Sequence, residues 1–494
     1  MEAITREEKL MSAASSGKSS GIKPITREEM YLSYIAGESK KKPKPITRKE
    51  MFLDKIEKGE GGDTSGGGDI VPLLEGTIEE ITIPNEVTNL AKGVFGGCSV
   101  LKEINADESH TVYKSSDGIL YTKDGKKLVS YPPAREETEY IMPDSVEEIE
   151  KMAFNNTTTL EKVILSDNIK SLPENLAIEN KNADIEIVLN PDILAQGDVY
   201  PIGSPLITTA TIPEGSTYLS ATAFDNMQGI KNLYYNADCE LEKVGVADGK
   251  TSYELNGIQK LQNLKKVEIG SSVKNIPDEF LNGSYVNLGN TLETLIIGEN
   301  VESIGNEAFC NLSSIKELRI GDNVKSIGGI AFYGLRSVEG TLIIPDSVTE
   351  LGSVDDWGMQ RYETFGSMSK ITNVIIGKGL SELVNSMFAN CASLTEVTIP
   401  SNIKTIGQSA FLSCGALSRV EIQEGVETIE YNAFAFCNNL ANIYIPRSVN
   451  TIELAGFENM GGNVEGGLTI HGYAGSYAET FATENGFNFE VIEE

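Results

Sequence analysis

Histidine, the side chain that most often transfers protons near neutral pH, occurs in this 494-residue chain only at His110 and His471. A Ser/His/Asp or Cys/His site needs an imidazole next to a nucleophile, and these two lie in distant parts of the sequence. Carboxylates occur at 72 positions, so close pairs are expected by chance and do not indicate glycosidase chemistry. The sequence predicts a non-enzymatic protein without a cofactor, and a carbohydrate-active enzyme is the remote alternative.

Cysteines and acidic turns are the candidate metal ligands. The turn Gly321–Asn323 has the composition of a calcium loop without the spacing of its ligands, so ordinary turn chemistry explains it. The cysteines follow none of the spacings typical of zinc sites. They are Cys98, Cys239, Cys310, Cys391, Cys414 and Cys437. We therefore predict no metal site.

Residue types that anchor interfaces occur together in one segment. Gly352–Tyr362 contains the only tryptophan, Trp357, together with Met359, Arg361 and Tyr362. Tryptophan, tyrosine and arginine contribute most of the binding energy at many interfaces, so we predict that this segment contacts a ligand. The alternative is that Trp357 folds back over its own coil.

A period of 23 residues defines the element that positions these side chains. A constant period over many copies indicates a repeat array, because chance does not preserve the phase. The spacing joins Phe309 to Phe332, and it joins Phe365 successively to Phe388, Phe411, Phe434 and Phe457.

Each copy reads Leu-x-x-Val-x-Ile-Pro, an aliphatic residue, Ile-x-x-x-Ala-Phe and, in several copies, a cysteine three residues later, as from Leu394 to Cys414. The Val-x-Ile alternation predicts a short strand with one buried face. One unit cannot bury its own apolar face, but stacked units can. We predict an α/β-type solenoid dominated by short parallel strands, a leucine-rich-repeat array of about twelve ~23-residue units with a C-terminal cap.

The repeat phase also explains most of the cysteines. Cys98, Cys391, Cys414 and Cys437 all follow the repeat phenylalanine by three residues, which predicts small buried side chains. Adjacent turns of the coil bring two of the last three within disulfide range. The sequence leaves their redox state open.

Strand residues between the buried ones face outward, and one outward row contains several apolar side chains. The row comprises Ile296, Arg319, Ile343, Ile375, Thr398, Glu421 and Tyr444. We predict that Ile343, Ile375 and Tyr444 form a contact patch. The alternative is that β-branched residues are present only because they suit strands.

These repeats resemble the BspA-like leucine-rich-repeat family over about residues 75–494. The resemblance includes a hairpin-like insertion, Asp117–Pro133, and a closing segment in which 475–485 reads as a helix and 488–492 as a last strand. It implies a leucine-rich-repeat fold. It also implies a binding or adhesive function, since bacterial members are surface and secreted proteins and several are adhesins. The pattern departs at 177–209, which lacks the Ala-Phe element, and between Ile276 and Phe280, where the spacing is one residue shorter.

These patterns divide the chain into four predicted parts. Insertions are candidate binding sites, because repeat scaffolds carry function on added loops. The parts are a helical attachment arm at 1–58, a glycine-rich flexible linker at 59–69, the solenoid at 70–467 with insertions at 106–135, 177–209 and 352–362, and a C-terminal cap at 468–494.

The arm contains three helix-capping boxes, which begin at Ile4, Ile25 and Ile46. Helices of about ten residues are marginal alone. Nothing within the arm buries their apolar side chains, so we predict that they dock on a virion or on copies of themselves, giving a homo-oligomer. The alternative is a flexible tail with transient helices. The candidate attachment residues are Ile25, Met30, Leu32, Ile35, Ile46, Met51, Leu53 and Ile56.

Charge separates the arm from the rest of the chain. Residues 1–69 carry 13 Lys/Arg and 12 Asp/Glu, which leaves 28 basic and 60 acidic groups in the remaining residues. So acidic a surface repels phosphate, which argues against nucleic acid and anionic membranes as partners. No apolar run reaches about 18 residues, so we predict no transmembrane helix. The expected ligand is a protein or glycan on a cell or mucosal surface.

The amino-terminal sequence indicates where the protein is located. Its first residues, MEAITREEKLMSAASSG, have no apolar core, so we predict no secretory signal peptide. The capping boxes loosely resemble the amino-terminal segments of structural proteins from phages of gut Firmicutes. We therefore expect a virion-associated fibre or decoration protein that binds a bacterial or mucosal surface. The alternative is a secreted or cell-surface bacterial adhesin.

Overall fold

The fold is described from a computed structural model. The structure describes residues 78–170, 184–189, 191, 207–224, 227–247, 252–284, 287–354, 360–453, 457 and 467–493. These residues fall into two compact units, of which the first ends at Val163 and the second begins at Ile164.

The first unit combines parallel strands with an antiparallel insertion. Ile81 lies beside Ile104 in a parallel pair, and both side chains are buried. The hairpin predicted within 117–133 is present, because three consecutive strands between Tyr113 and Ser130 pair antiparallel. The strands of this unit are Glu80–Ile83, Glu103–Ala106, Tyr113–Ser116, Ile119–Thr122, Lys127–Ser130, Glu139–Ile141 and Glu148–Ile149, and the strand Lys162–Ile164 spans the boundary with the second unit.

The second unit is a coil in which each turn contributes one parallel strand to the same face. We call this face the main sheet, although its hydrogen-bonded ladder is interrupted before Gly340–Ile343 and after Ile371–Ile375. Val397 and Ile399 are buried and lie beside Val420 and Ile422 of the next turn, whereas Thr398 between them is exposed. This alternation confirms the predicted one-sided strand. The main-sheet strands are Asp184–Val188, Ile207–Ile212, Asn232–Tyr235, Lys266–Ile269, Thr294–Ile297, Glu317–Arg319, Gly340–Ile343, Ile371–Ile375, Glu396–Ile399, Arg419–Ile422, Asn442–Tyr444, Thr469–Gly472 and Asn488–Val491.

A second set of two-residue parallel strands follows the main sheet around the coil, and its isoleucines and leucines point inward. We call it the short-strand sheet. Ile406, for example, is buried beside Ile429 of the next turn. The strands are Tyr218–Leu219, Glu240–Leu241, Asn275–Ile276, Ser303–Ile304, Ser326–Ile327, Glu350–Leu351, Glu382–Leu383, Thr405–Ile406, Thr428–Ile429 and Thr451–Ile452.

The repeat phenylalanines close the coil and stack on one another through its interior. The Phe411 ring lies 5.4 Å from that of Phe388 and 5.3 Å from that of Phe434, centroid to centroid, with interplanar angles of 19° and 1°. All three side chains are fully buried. The predicted leucine-rich-repeat solenoid is therefore confirmed, and its period of 23 residues is the length of one turn.

Turns of the coil also occur where the phenylalanine is missing, so the prediction of about twelve units is slightly low. Asp184–Val188 lies within the predicted insertion 177–209 and pairs in parallel with Ile207–Ile212, so this part continues the main sheet. Asn232–Tyr235 likewise pairs with Lys266–Ile269, and the Tyr235 ring contacts that of Phe280 at 4.8 Å. The sequence does not predict these turns, because each unit is recognised there by its repeat phenylalanine.

Two hairpins leave the second unit between turns. Lys243–Ala247 pairs antiparallel with Ser252–Asn256, and this hairpin was not predicted. Ser353–Val354 pairs antiparallel with Gln360–Arg361 within the predicted insertion 352–362. Short 3₁₀ turns occur at Ile258–Lys260 and Asn287–Asn290.

The coil ends in the predicted helix and last strand. The helix spans Tyr477–Asn485, with the Ser476 hydroxyl accepting from the Glu479 backbone N–H and Gly486 in the left-handed conformation after it. Phe481 from this helix contacts Phe457, the last repeat phenylalanine, with ring centroids 5.5 Å apart. The cap therefore covers the apolar end that the last turn leaves open.

Candidate binding surface

Each of the two histidines has a structural environment. His110 is fully buried, and its Nδ1 accepts hydrogen bonds from the backbone N–H groups of Val112 and Tyr113, both at 3.1 Å. Its Nε2 lies 3.1 Å from the Pro84 carbonyl oxygen, so a neutral ring with hydrogen on Nε2 satisfies all three contacts. His110 thus fixes the start of the first antiparallel insertion.

His471 lies on the outer face of the main sheet, beside Tyr444 of the preceding strand. Its Nε2 is 2.8 Å from Asn442 Oδ1, and its Nδ1 is 3.4 Å from Glu490 Oε2. Burial lowers the pKa of His471 below its usual value of 6.5, although the Glu490 carboxylate acts in the opposite direction. The sequence placed His471 in the cap and did not reveal its position beside Tyr444.

The predicted core cysteines are buried thiols. The thiols of Cys391, Cys414 and Cys437 each donate to the carbonyl oxygen of a repeat phenylalanine on the preceding turn, at sulfur–oxygen distances of 3.5, 3.3 and 3.2 Å. Burial raises the pKa of Cys391 and Cys437 to about 12, far above the range in which thiolates form at neutral pH. All six cysteines are free thiols in the structure.

No group of three or more His, Cys, Asp or Glu side chains is arranged to hold a metal ion among the described residues. In the same part of the chain, no helix is long and apolar enough to cross a bilayer.

Ile343 and Ile375 are register neighbours on the outer face of the main sheet. Their side chains are 59% and 51% exposed, so they form a continuous apolar pair facing solvent. Ile296, of the same predicted row, is half-buried because it lies in a groove. The apolar part of the row is therefore shorter than the sequence suggested.

Tyr444, the third residue of the predicted patch, is part of a cationic and aromatic stack. The guanidinium carbon of Arg419 lies 4.0 Å from the centroid of the Tyr444 ring, and the His471 ring stacks on the same residue with centroids 4.3 Å apart. Arg419 also pairs with Glu421 at 3.2 Å. The contacts hold Tyr444 in one orientation, which lowers the entropy lost when a ligand packs on it.

A groove of about 590 Å³ crosses the outer face nearer the start of this unit. Tyr234, Glu268 and Ile296, from three successive strands, line it together with Glu299 and Arg319. It therefore presents aromatic, apolar and charged groups side by side. The repeat pattern of the sequence did not predict this groove.

Glycines follow the strands that line the groove, at Gly270 and Gly298. A Cβ atom on Gly298 would lie 2.4 Å from the carbonyl oxygen of Ile269, so only glycine allows these turns to approach each other. Glycine also follows a strand away from the groove, at Gly377, so this residue does not by itself mark the groove in the sequence.

The structure separates the two predicted contact regions. The hairpin that contains Arg361 follows Glu350–Leu351 of the short-strand sheet, whereas Ile343, Ile375 and Tyr444 lie on the main sheet. Tyr362 is partly buried, and its carbonyl oxygen accepts from the Ile330 N–H at 3.5 Å. Trp357 and Met359 lie outside the described residues, as do all the candidate attachment residues: Ile25, Met30, Leu32, Ile35, Ile46, Met51, Leu53 and Ile56.

The repeat pattern identifies the family. The family model of the BspA type leucine rich repeat region matches six copies at residues 75–118, 135–240, 282–354 and 361–464, about two thirds of the chain. The chain belongs to the BspA type leucine rich repeat family. No curated protein matches it.

Solved structures of leucine-rich-repeat proteins are similar to this family member at low identity. A protein from Bacteroides ovatus is 17% identical, covering 77% of this chain and 98% of that one, with a TM-score of 0.35. A leucine rich cell surface protein from Faecalibacterium prausnitzii is 18% identical, with coverage of 81% and 89% and a TM-score of 0.30. A leucine-rich repeat protein from Eubacterium ventriosum is 18% identical, covering 57% of this chain and 63% of that one, with a TM-score of 0.23. This chain therefore spans less than two thirds of that protein. Family membership rests on the repeat pattern.

Proposed function

We propose that this chain is a non-enzymatic binding protein of adhesive type, whose main-sheet face recognises a protein or glycan on a cell or mucosal surface. The observation that carries the proposal is the exposed pair Ile343 and Ile375. Leaving apolar area in water forgoes about 25 cal/mol per Å² of stabilisation, and burial against a ligand recovers it. Family membership supports the same function, since leucine-rich-repeat proteins are generally binding proteins without catalytic activity.

The pair is tested by the double variant Ile343→Thr/Ile375→Thr. Threonine keeps the branched side chain that suits a strand and already occupies this row at Thr398. We expect an unchanged melting temperature and at least a tenfold loss of binding to whole bacterial cells or mucus. Thr398→Ser, in the same row, is the matched control. Undiminished binding by the double variant would show that the main-sheet face is not the binding surface.

The insertion at 352–362 is the second contact that we propose, with Trp357, Met359, Arg361 and Tyr362 as its binding residues. Its support is the residue composition and the hairpin formed by Ser353–Val354 and Gln360–Arg361, which adds these residues to the repeat without interrupting it. Trp357→Ala in the full chain should weaken binding without lowering the melting temperature. A fall in melting temperature with unchanged binding would instead support a tryptophan that packs on its own coil.

For the amino-terminal arm we propose attachment, either to a virion or to copies of itself. The capping boxes at Ile4, Ile25 and Ile46 support a helical arm, and their loose resemblance to phage structural proteins supports a virion. Family membership supports the alternative, a bacterial surface or secreted adhesin. Immunogold labelling of a producing culture with an antibody against this chain distinguishes the two alternatives. Gold on phage particles indicates a virion protein, and gold on bacterial cells indicates an adhesin. Deleting residues 1–58 should abolish labelling of phage particles while leaving ligand binding by the purified chain intact.

A further inference from the structure

The turn side of the second unit contains a column of residues in the left-handed backbone conformation. The N–H of each member donates to the carbonyl oxygen of the residue that precedes the next member, for example from Ser413 to Ala435 at 2.9 Å. Glycine and asparagine, which tolerate this conformation best, and the small residue serine occupy all the positions but one. The column comprises Asn311, Gly334, Ser367, Asn390, Ser413 and Phe436, each two residues after a repeat phenylalanine.

Phe436 is the exception, and it is unfavourable in two respects. Its φ angle is +61°, a conformation that bulky side chains rarely adopt. Its side chain is also 47% exposed, so the ring gains only part of the burial that would offset the strain. Local strain that brings the protein no internal packing is typical of a residue that functions by contact with another molecule.

The turns around Phe436 contain few charged residues, which is unusual in a chain with a net charge of −31. The last three turns of the column contain no Asp, Glu, Lys or Arg over residues 384–395, 407–418 and 431–441, and the Glu430 carboxylate at their border accepts from the Gln408 N–H at 3.0 Å. Earlier turns carry charged residues in the same region, such as Glu307 and Arg336. Exposed amides and hydroxyls take their place, among them those of Asn390, Asn438 and Tyr431.

We propose that this turn ridge, residues 384–395, 407–418 and 431–441, binds a neutral glycan. A sugar ring has an apolar C–H face and a rim of hydroxyls. The exposed ring of Phe436 can pack against the C–H face, and uncharged amides and hydroxyls can form hydrogen bonds with the sugar hydroxyls. A cationic or anionic ligand would find no charged partner among the residues of the ridge itself, and a protein partner of ordinary size would extend beyond the ridge onto the acidic surface around it. The ridge is a different surface from the main-sheet face of the proposed function, and its test uses different residues.

The test is affinity electrophoresis of the full chain in native gels that contain dextran, mannan or galactan. At least one of these neutral polysaccharides should retard the wild-type protein, and Phe436→Asn should abolish the retardation. Asparagine is the residue that the same column has at Asn311 and Asn390. Tyr477→Ser, which removes a 42% exposed aromatic ring from the cap helix, is the matched control and should leave retardation unchanged.

Two further measurements make the proposal specific. Retardation should be the same at about 0.05 and 0.5 M NaCl, because no charge takes part. Phe436→Asn should keep or raise the melting temperature, since it relieves the strained backbone. The proposal is overturned if no polysaccharide retards the wild type, if Phe436→Asn is still retarded, or if salt abolishes the effect. A lower melting temperature of Phe436→Asn would overturn it too, because the ring would then serve its own coil.

Discussion

The imidazole of His471 stacks on the phenol ring of Tyr444, with 4.3 Å between centroids and 8° between planes. The guanidinium carbon of Arg419 lies 4.0 Å from the centroid of the same tyrosine ring. The three residues come from three successive strands of the main sheet, so the stack depends on the register of the coil. The stack holds the side chains of Arg419, Tyr444 and His471 together as one rigid surface.

This stack predicts a pH dependence of stability. Burial, and to a smaller extent Arg419, lowers the pKa of His471 in the folded protein below its usual value of 6.5. A histidine with a lowered folded pKa contributes stability above its unfolded pKa and loses that contribution as the pH falls. We therefore expect the melting temperature to fall as the pH drops below about 6.5, before the carboxylates titrate. His471→Gln should remove that part of the pH dependence.

Nuclear magnetic resonance titration of the imidazole checks the assignment directly. Glu490→Gln should lower the pKa of His471 further, because the Glu490 carboxylate favours the protonated ring. Arg419→Gln should raise it, because the guanidinium opposes protonation. A His471 pKa at or above 6.5 in the wild type would contradict the prediction.

The cysteine column predicts chemical inertness. Burial raises the pKa of Cys98 to about 11 and that of Cys310, like Cys391 and Cys437, to about 12. The thiolate is the reactive form, so iodoacetamide at pH 8 should label none of the six cysteines of the native protein within minutes and all six after unfolding in guanidinium. Mass spectrometry counts the labels. A native mass two hydrogens short of the reduced chain would show a disulfide and contradict the structure.

The phenylalanine stack predicts a local loss of stability. Phe411→Ala should cost about 3–5 kcal/mol, because the ring is fully buried between those of Phe388 and Phe434. Phe411→Leu should cost less, since it leaves a smaller cavity. Each turn contacts its neighbours only, so hydrogen exchange should accelerate around residue 411 and stay unchanged in residues 78–163. Uniform loss of protection in both units would contradict a stack of independent turns.

The buried His110 predicts a structural defect without a binding defect. His110→Ala removes the acceptor of the Val112 and Tyr113 N–H groups, and each unsatisfied buried group costs about 1–3 kcal/mol. We expect a lower melting temperature and faster exchange of those two amides. Binding to cells should not change when variants are compared at equal folded concentration. Unaltered exchange at both amides would show that the hydrogen bonds are unimportant.

Much of the coil was predictable because the repeat is a local, linear pattern. The alternation around Val397 and Ile399 places one face inside, and the 23-residue spacing of Phe388, Phe411 and Phe434 requires identical turns to stack. The phase that put Cys414 three residues after Phe411 also predicted its burial correctly. The turn that begins with the strand Asp184–Val188 was not predicted, because it lacks the phenylalanine by which a unit is recognised in the sequence.

What the sequence alone determined is the repeat, its buried residues, the outward row and the capped end. Only the tertiary structure decided which outward residues meet. Tyr444 and His471 are 27 residues apart instead of 23, so their contact depends on how the last turn accommodates the extra chain, and periodicity does not encode this. The exposure of Ile343 and Ile375, the groove at Ile296 and the strained turn at Phe436 likewise depend on how neighbouring turns approach each other. A repeating pattern specifies the inside of a stack, where every turn meets the same surroundings. The outside depends on the differences between turns, and these become contacts only when the turns are stacked.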